Sequence, residues 1–150
     1  MEKLSGTTII LRLEGLALAL ACLWLFSLFH QSWWLFVVLI LAPDLSMLGY
    51  LAGPKVGAAL YNAAHSWVTV AGFFFLFWYF PEWFDWINDT YGYFSGKDTG
   101  GVLLLSLPFI LGAHIGIDRV LGYGLKHSTG FKDTHLGRIG KTPLPLVGRG

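Results

Sequence analysis

Residues 101–122, GVLLLSLPFILGAHIGIDRVLG, decide the fold, because this apolar run contains ionisable side chains, among them His114 and Asp118. A membrane-spanning helix needs about 20 mostly apolar residues, and this stretch is long enough. In a helix, residues four apart lie on one face, so His114 and Asp118 would be neighbours. Ionisable groups are costly in hydrocarbon and usually mark a pathway, a pair or a site.

Three more stretches of the chain are long and apolar enough to span a membrane, at about residues 8–29, 33–51 and 56–80. A polar turn and a Gly-Pro pair separate them. The first is not a cleavable signal peptide, because it is long, lacks a clear small-residue cleavage site and carries Arg12 and Glu14.

The composition agrees with a membrane protein of one domain. Hydrophobic residues make up 55% of the 150 residues and charged residues only 13%, about half the roughly 25% of a soluble domain. The net charge of +1 gives no electrostatic support for a nucleic-acid partner. The single cysteine excludes an intramolecular disulfide and a cysteine-based zinc cluster.

Lysine and arginine are concentrated in the loops that four spans would place on one side, which is the cytoplasmic side in membrane proteins. The sequence therefore predicts an all-α, polytopic membrane four-helix bundle, multi-pass in the inner (plasma) membrane, with both termini cytoplasmic. Residues 1–140 would form one domain with a cytoplasmic C-terminal loop from about 123, and residues 141–150 a disordered tail. The cations that carry this prediction are Lys3, Lys55, Lys126, Lys132, Arg138, Lys141 and Arg149.

Counting along these spans places four ionisable side chains at one depth, in the cytoplasmic half of the membrane. Imidazoles suit transition metals and carboxylates suit harder cations. The set predicts a site for a divalent transition metal, with zinc favoured and iron or manganese as alternatives. The predicted ligands are Asp44, His65, His114 and Asp118.

Other side chains at this depth would complete the site. Glu14 is the candidate general base, and Arg12 or Arg119 the candidate anion clamp. Tyr61 and Asn62 precede His65 by four and three residues and could orient its imidazole.

The segment after the last span, GYGLKHSTGFKDTHLGRIG, emerges on the same side as the cluster. It could fold back as a cap and gate access to the site, using Tyr123, Lys126, Asp133 and His135. The alternative is an interfacial loop whose Lys126, Lys132 and Arg138 contact lipid headgroups.

Structural roles compete with the metal hypothesis for each residue taken alone. A buried histidine often makes an interhelical hydrogen bond, Asp118 could pair with Arg119, and Arg12 could extend to the headgroups. Asp44 could bond nearby backbone, since Pro43 frees a carbonyl one turn back. The clustering of all four side chains favours a functional centre over separate structural roles.

Three functions fit such a centre. A metal-dependent hydrolase acting on a lipid-like ester or phosphoester is favoured, with membrane lipids as partners and oligomerisation left open. The alternatives are electron transfer through a haem held by His65 and His114, and a small proton or solute carrier.

The segments RLEG, APDLSMLGYLAGP, YNAAHSW and AHIGIDRVLGYGLKHSTGFKDTHLGRIG resemble the bacterial integral-membrane family called domain of unknown function 4260, over about residues 8–140. That resemblance implies no activity. Pro43-Asp44, His65-Ser66 and the His114/Asp118 pair are also similar, more loosely, to motifs of inner-membrane predicted metal-dependent hydrolases. Those proteins carry a second Asp-His where this chain has Ser46 and Met47, which argues against a two-metal centre.

Overall fold

The structure is a computed structural model that describes residues 6–28, 32–80 and 100–140. The predicted outer loop and the tail at 141–150 lie outside these residues. Helices dominate the described chain, and one short antiparallel hairpin follows them. In order, the elements are α1 (Gly6–Leu28), α2 (Trp33–Leu39), a 3₁₀ helix (Ala42–Ala52), α3 (Pro54–Ala64), α4 (Trp67–Tyr79), α5 (Gly100–Leu121), β1 (Asp133–Thr134) and β2 (Gly137–Arg138).

Two segments of the described chain, Gly6–Leu28 and Trp33–Ala52, are long and apolar enough to cross a membrane. A third candidate is the pair formed by α3 and α4, which are bent by 48° against each other. Only 17% of the most apolar window of α1 is buried, and only 6% of that in Trp33–Ala52. Helices that expose so much apolar surface are typical of a protein whose helices contact lipid.

The predicted second and third spans are not continuous α-helices. In the second, α2 ends at Leu39 and the chain continues as a 3₁₀ helix with Pro43 in its first turn, where a missing N–H costs nothing. The third breaks at His65, whose φ of −108° and ψ of 24° end α3. Ser66 is the N-cap of α4, and its Oγ accepts a hydrogen bond from the Thr69 N–H at 3.2 Å.

Helices α1 and α5 pack against each other through small residues. A Cβ on Gly116 would lie 2.6 Å from the Gly15 carbonyl oxygen and 2.8 Å from the Ala19 Cβ. A Cβ on Gly112 would lie 2.6 Å from the Cys22 sulfur. The contacts run in opposite directions along the two helices, so the start of α1 and the end of α5 lie at the same end of the molecule. Small residues spaced by four commonly permit such close approach in membranes.

The opposite end of the helix pair is held by aromatic packing. Phe26 of α1 is fully buried, and its ring centroid lies 4.9 Å from that of Phe36 of α2. Phe109, Ile110 and Ala113 of α5 complete this cluster. The core therefore fixes α1, α2 and α5 together and leaves the polar residues of α5 at the other end.

The chain reverses direction after α5 and forms a small hairpin. Gly122 has a φ of 91°, a left-handed conformation that ends the helix, and the Tyr123 N–H donates to the Asp118 carbonyl at 2.7 Å. Strands β1 and β2 pair Asp133 with Arg138, and Lys126 forms a bridge to Thr134. The segment that follows α5 is thus folded over the end of the helices.

Candidate metal centre

Four side chains from three elements meet at the end of the helix assembly where α5 finishes. The His65 Nε2 lies 3.0 Å from the His114 Nε2 and 3.4 Å from the Asp44 Oδ1. The Asp118 Oδ2 lies 3.7 Å from the His65 Nε2 and 3.8 Å from the His114 Nε2. Ligand atoms of Asp44, His65 and His114 all lie within 4.8 Å of one another, and this cluster could hold a metal ion.

These separations match the edges of a small coordination polyhedron. Zinc bonds nitrogen and oxygen at about 2.0–2.2 Å, which puts tetrahedral ligands about 3.3–3.6 Å apart. The distances from His65 Nε2 and His114 Nε2 to the carboxylate oxygens span 3.4–3.8 Å, and the two Nε2 atoms are 3.0 Å apart. An ion could therefore bind after shifts of a few tenths of an ångström.

Hydrogen bonding fixes which nitrogen of His65 is free. Its Nδ1 lies 2.9 Å from the Tyr61 carbonyl oxygen, and a carbonyl only accepts, so Nδ1 must carry the proton. The Nε2 of the neutral ring therefore presents its lone pair to the cluster. Without an ion, the His114 Nε2–H would donate to this lone pair across 3.0 Å. With an ion, both Nε2 atoms would be ligands.

Tyr61 supports the centre through three atoms or groups. Besides its carbonyl, its ring stacks on the His65 ring with centroids 3.7 Å apart and planes 11° apart. Its hydroxyl donates to the Asp118 Oδ2 at 2.9 Å. The same residue thus orients one imidazole and one carboxylate, as outer partners of metal ligands commonly do.

Arg119 stabilises the break between α3 and α4 by bonding a backbone carbonyl that the break leaves free. Its guanidinium donates to the His65 carbonyl at 3.1 Å and to the Tyr123 carbonyl at 2.7 Å. The break between α3 and α4 frees backbone carbonyls, and a carbonyl that is buried away from water needs a hydrogen-bond partner inside the protein. The structure therefore places Arg119 behind His65, bonded to backbone carbonyls.

Hydrogen bonds between the Lys126 backbone and the Asn62 side chain hold Lys126 over the cluster. The Asn62 amide donates to the Lys126 carbonyl at 2.9 Å and accepts from the Lys126 N–H at 2.6 Å. The side chain is 5% exposed, and its Nζ lies 4.2 Å from the Phe131 ring centroid and 4.8 Å from that of Tyr61. Burial lowers the pKa of Lys126, and the carboxylates of Asp118 and Asp44 oppose that shift.

A cavity of about 320 Å³ lies against the cluster and is open on one side. Both carboxylates of the cluster reach it, and Lys126 lies in its wall. Its lining consists of Asp44, Met47, Tyr61, Asp118, Tyr123, Lys126, Phe131 and Ile139. A small ligand could therefore reach the centre from this side.

Arg12 and Glu14 lie on α1, outside the cavity lining. The Arg12 guanidinium lies against Gly122, since a Cβ on that glycine would lie 2.7 Å from its Nη2. Glu14 has an exposed side chain. The role of Glu14 as a general base stays a prediction.

Asp133 and His135 hold the hairpin together. The Asp133 Oδ1 lies 3.6 Å from the Arg138 Nε, and the other oxygen accepts from the Thr129 hydroxyl. The His135 Nδ1 accepts from the Leu125 N–H at 2.7 Å, and burial lowers the pKa of this ring. These contacts brace the segment that carries Lys126.

Two features of the site went unpredicted from the sequence. Phe131, Met47 and Ile139 line the cavity, and their apolar character alone did not indicate this. Gly112 and Gly116 allow the close approach of α1, and their spacing of four residues is a visible signal of helix packing.

Comparison with known proteins identifies a family over most of the chain. Residues 8–139 match the family described as "Domain of unknown function (DUF4260)". No curated protein and no solved structure matches the chain. The match spans the helices and the hairpin and includes every residue of the cluster, so this chain belongs to the DUF4260 family.

Proposed function

We propose that this chain is an integral-membrane metalloprotein that hydrolyses a lipid-like ester or phosphoester. One observation carries the proposal: ligand atoms from three separate helical elements converge at distances that suit one divalent ion, beside an open cavity. Zinc is favoured, because two imidazoles and a carboxylate form a known catalytic ligand set for zinc.

The residues of the chain have distinct parts in this proposal. Asp44, His65 and His114 hold the ion, and Asp118 is a fourth ligand or an acceptor beside it, oriented by Tyr61. A divalent ion there would polarise the bond to be cleaved and lower the pKa of a bound water. The cavity would admit the reacting group while the acyl chain stays in the membrane.

The geometry does not favour the haem alternative. Two axial histidines bond the iron from opposite faces at about 2 Å each, so their nitrogens must lie about 4 Å apart with the macrocycle between them. The two Nε2 atoms are 3.0 Å apart, about 1 Å closer than ligation of one haem iron from both faces requires.

We also propose that the end of the molecule carrying the cluster faces the cytoplasm, in a four-span bundle of the inner membrane. Antiparallel packing of α1 and α5 puts the N-terminal end of α1 beside the hairpin, and the cations Lys126, Lys132 and Arg138 lie in that hairpin segment. Reporter fusions after Gly150 and at Asp89 should report opposite sides of the membrane, with Gly150 cytoplasmic. A periplasmic signal at Gly150 would contradict the proposed topology.

Turnover tests the hydrolase proposal. We expect zinc-loaded protein in detergent to hydrolyse a fluorogenic phosphoester that bears an acyl chain, and a chelator to stop the reaction. The role of general base predicted for Glu14 requires Glu14→Gln to reduce turnover by about 100-fold or more while bound metal stays unchanged, although Glu14 is exposed and lies outside the cavity lining. Full activity in that variant would exclude Glu14 as the base. Absence of turnover of ester and phosphoester amphiphiles by metal-loaded protein would contradict the hydrolase proposal.

A further inference from the structure

A buried ammonium group faces the candidate metal centre without an ionic partner among the described residues. Lys126 is 5% exposed and lines the cavity, yet its ammonium forms no ion pair with a described carboxylate. Rings of Phe131, Tyr61 and Tyr123 surround the Nζ at 4.2, 4.8 and 5.8 Å from their centroids. Aromatic faces stabilise a cation and leave its N–H groups available to an acceptor.

The backbone of Lys126 holds the ammonium in this place. Two reciprocal hydrogen bonds join it to the Asn62 side chain, and a β-bridge joins it to Thr134. Because the Lys126 backbone is anchored to Asn62 and to Thr134, the ammonium is preorganised, and a ligand gains affinity when such ordering is already complete.

The charge of the cavity depends on the metal. By formal charge, Asp44 and Asp118 exceed Lys126 by one negative charge, so we expect the cavity without an ion to disfavour anions. A divalent ion at the cluster reverses this balance and leaves a net positive charge between the carboxylates and the ammonium. An anion would then find two cations in one partly enclosed cavity, where charge interactions are stronger than in water.

From this arrangement we propose that the cavity binds a phosphate-class oxyanion between the metal ion and the Lys126 ammonium, and that binding requires the ion. The inference rests on the proposed metal centre and names the substrate class for it. A tetrahedral phosphate group carries several oxygens and can contact the ion and Lys126 together. A cavity of about 320 Å³ suits a headgroup-sized ligand. Lysine is a common phosphate partner because its ammonium acts as a point charge.

Titration of inorganic phosphate into cobalt-loaded protein in detergent tests the proposal, by calorimetry and by the visible spectrum of the bound cobalt. We expect binding to the loaded protein, and at least tenfold weaker binding to protein stripped of metal. Lys126→Met keeps the apolar stem between the rings and removes the charge, so it should bind phosphate at least tenfold more weakly with unchanged cobalt content. Lys126→Arg should restore part of the affinity.

Lys132→Gln is the matched control, because Lys132 is exposed on the same segment and should not affect phosphate binding. Equal phosphate binding by wild type and Lys126→Met, or by loaded and stripped protein, would overturn the inference while the metal centre stands. Wild type that binds no cobalt would overturn both. Competition by a soluble phosphomonoester and by a short-chain phosphatidic acid distinguishes a free phosphate compound from a lipid headgroup.

Discussion

His114→Ala is expected to yield a folded helical membrane protein that has lost its metal. Substitution of a residue that hydrogen-bonds a metal ligand typically lowers metal affinity by about 10–100-fold. Loss of a ligand itself should therefore lower metal affinity by about 100-fold or more. Folding should persist, because membrane insertion depends on apolar length and the neighbouring Ala113 and Ile115 keep their buried packing. Elemental analysis after gentle purification, together with circular dichroism, measures both quantities.

A graded series sharpens this prediction. His65→Ala should lose metal to the same extent, whereas Tyr61→Phe removes only the hydroxyl that donates to Asp118 and should weaken binding about 10–100-fold. His127→Ala is the control, because His127 is exposed in the hairpin segment and should leave the metal content unchanged. Such ligand sets are expected to bind metal tightly. If purified wild type carries less than about one-tenth of an ion per chain, the metal proposal is wrong and the four side chains form a hydrogen-bonded network instead.

Gly116→Ala should destabilise the molecule although it adds a single methyl group. The new Cβ would lie 2.6 Å from the Gly15 carbonyl oxygen and 2.8 Å from the Ala19 Cβ, distances that force α1 and α5 apart. Overpacking of this kind costs about 1–3 kcal/mol. Because His114 and Asp118 flank this glycine on α5, the metal content should fall as well.

Gly72→Ala is the matched control for that variant. Gly72 also lies within a helix, and a Cβ there would meet no described atom within 4 Å. Alanine favours a helix over glycine by about 1 kcal/mol, so this variant should be unchanged or slightly more stable. Thermal unfolding in one detergent compares the two. Equal stability of Gly116→Ala and wild type would contradict the close helix contact.

The amino-acid sequence alone determined that α1 and α5 are long apolar helices, and it predicted a cluster of His and Asp side chains that could hold a metal. The helices predicted at about 8–29 and 101–122 correspond to α1 and α5 at Gly6–Leu28 and Gly100–Leu121. Gly6–Leu28 is a candidate membrane span, and the role of α5 as a span stays a prediction. This agreement follows from physics that is local: a long apolar run must satisfy its backbone within the helix. The common depth predicted for the four cluster residues was also a local inference, since it came from counting residues at a fixed rise, and it stays a prediction.

The tertiary structure alone decided where the second and third apolar segments break and how their residues assemble into the site. Whether a helix continues through His65 depends on partners far along the chain, because Arg119 must satisfy the freed carbonyl and Asp118 must accept from Tyr61. The position of Lys126 over the cavity likewise depends on Asn62, which is 64 residues away in the chain. Such contacts carry no periodic signal in the sequence, since they join single residues rather than faces of a helix. Local apolarity therefore set the helices, and long-range hydrogen bonds and close helix packing set the site.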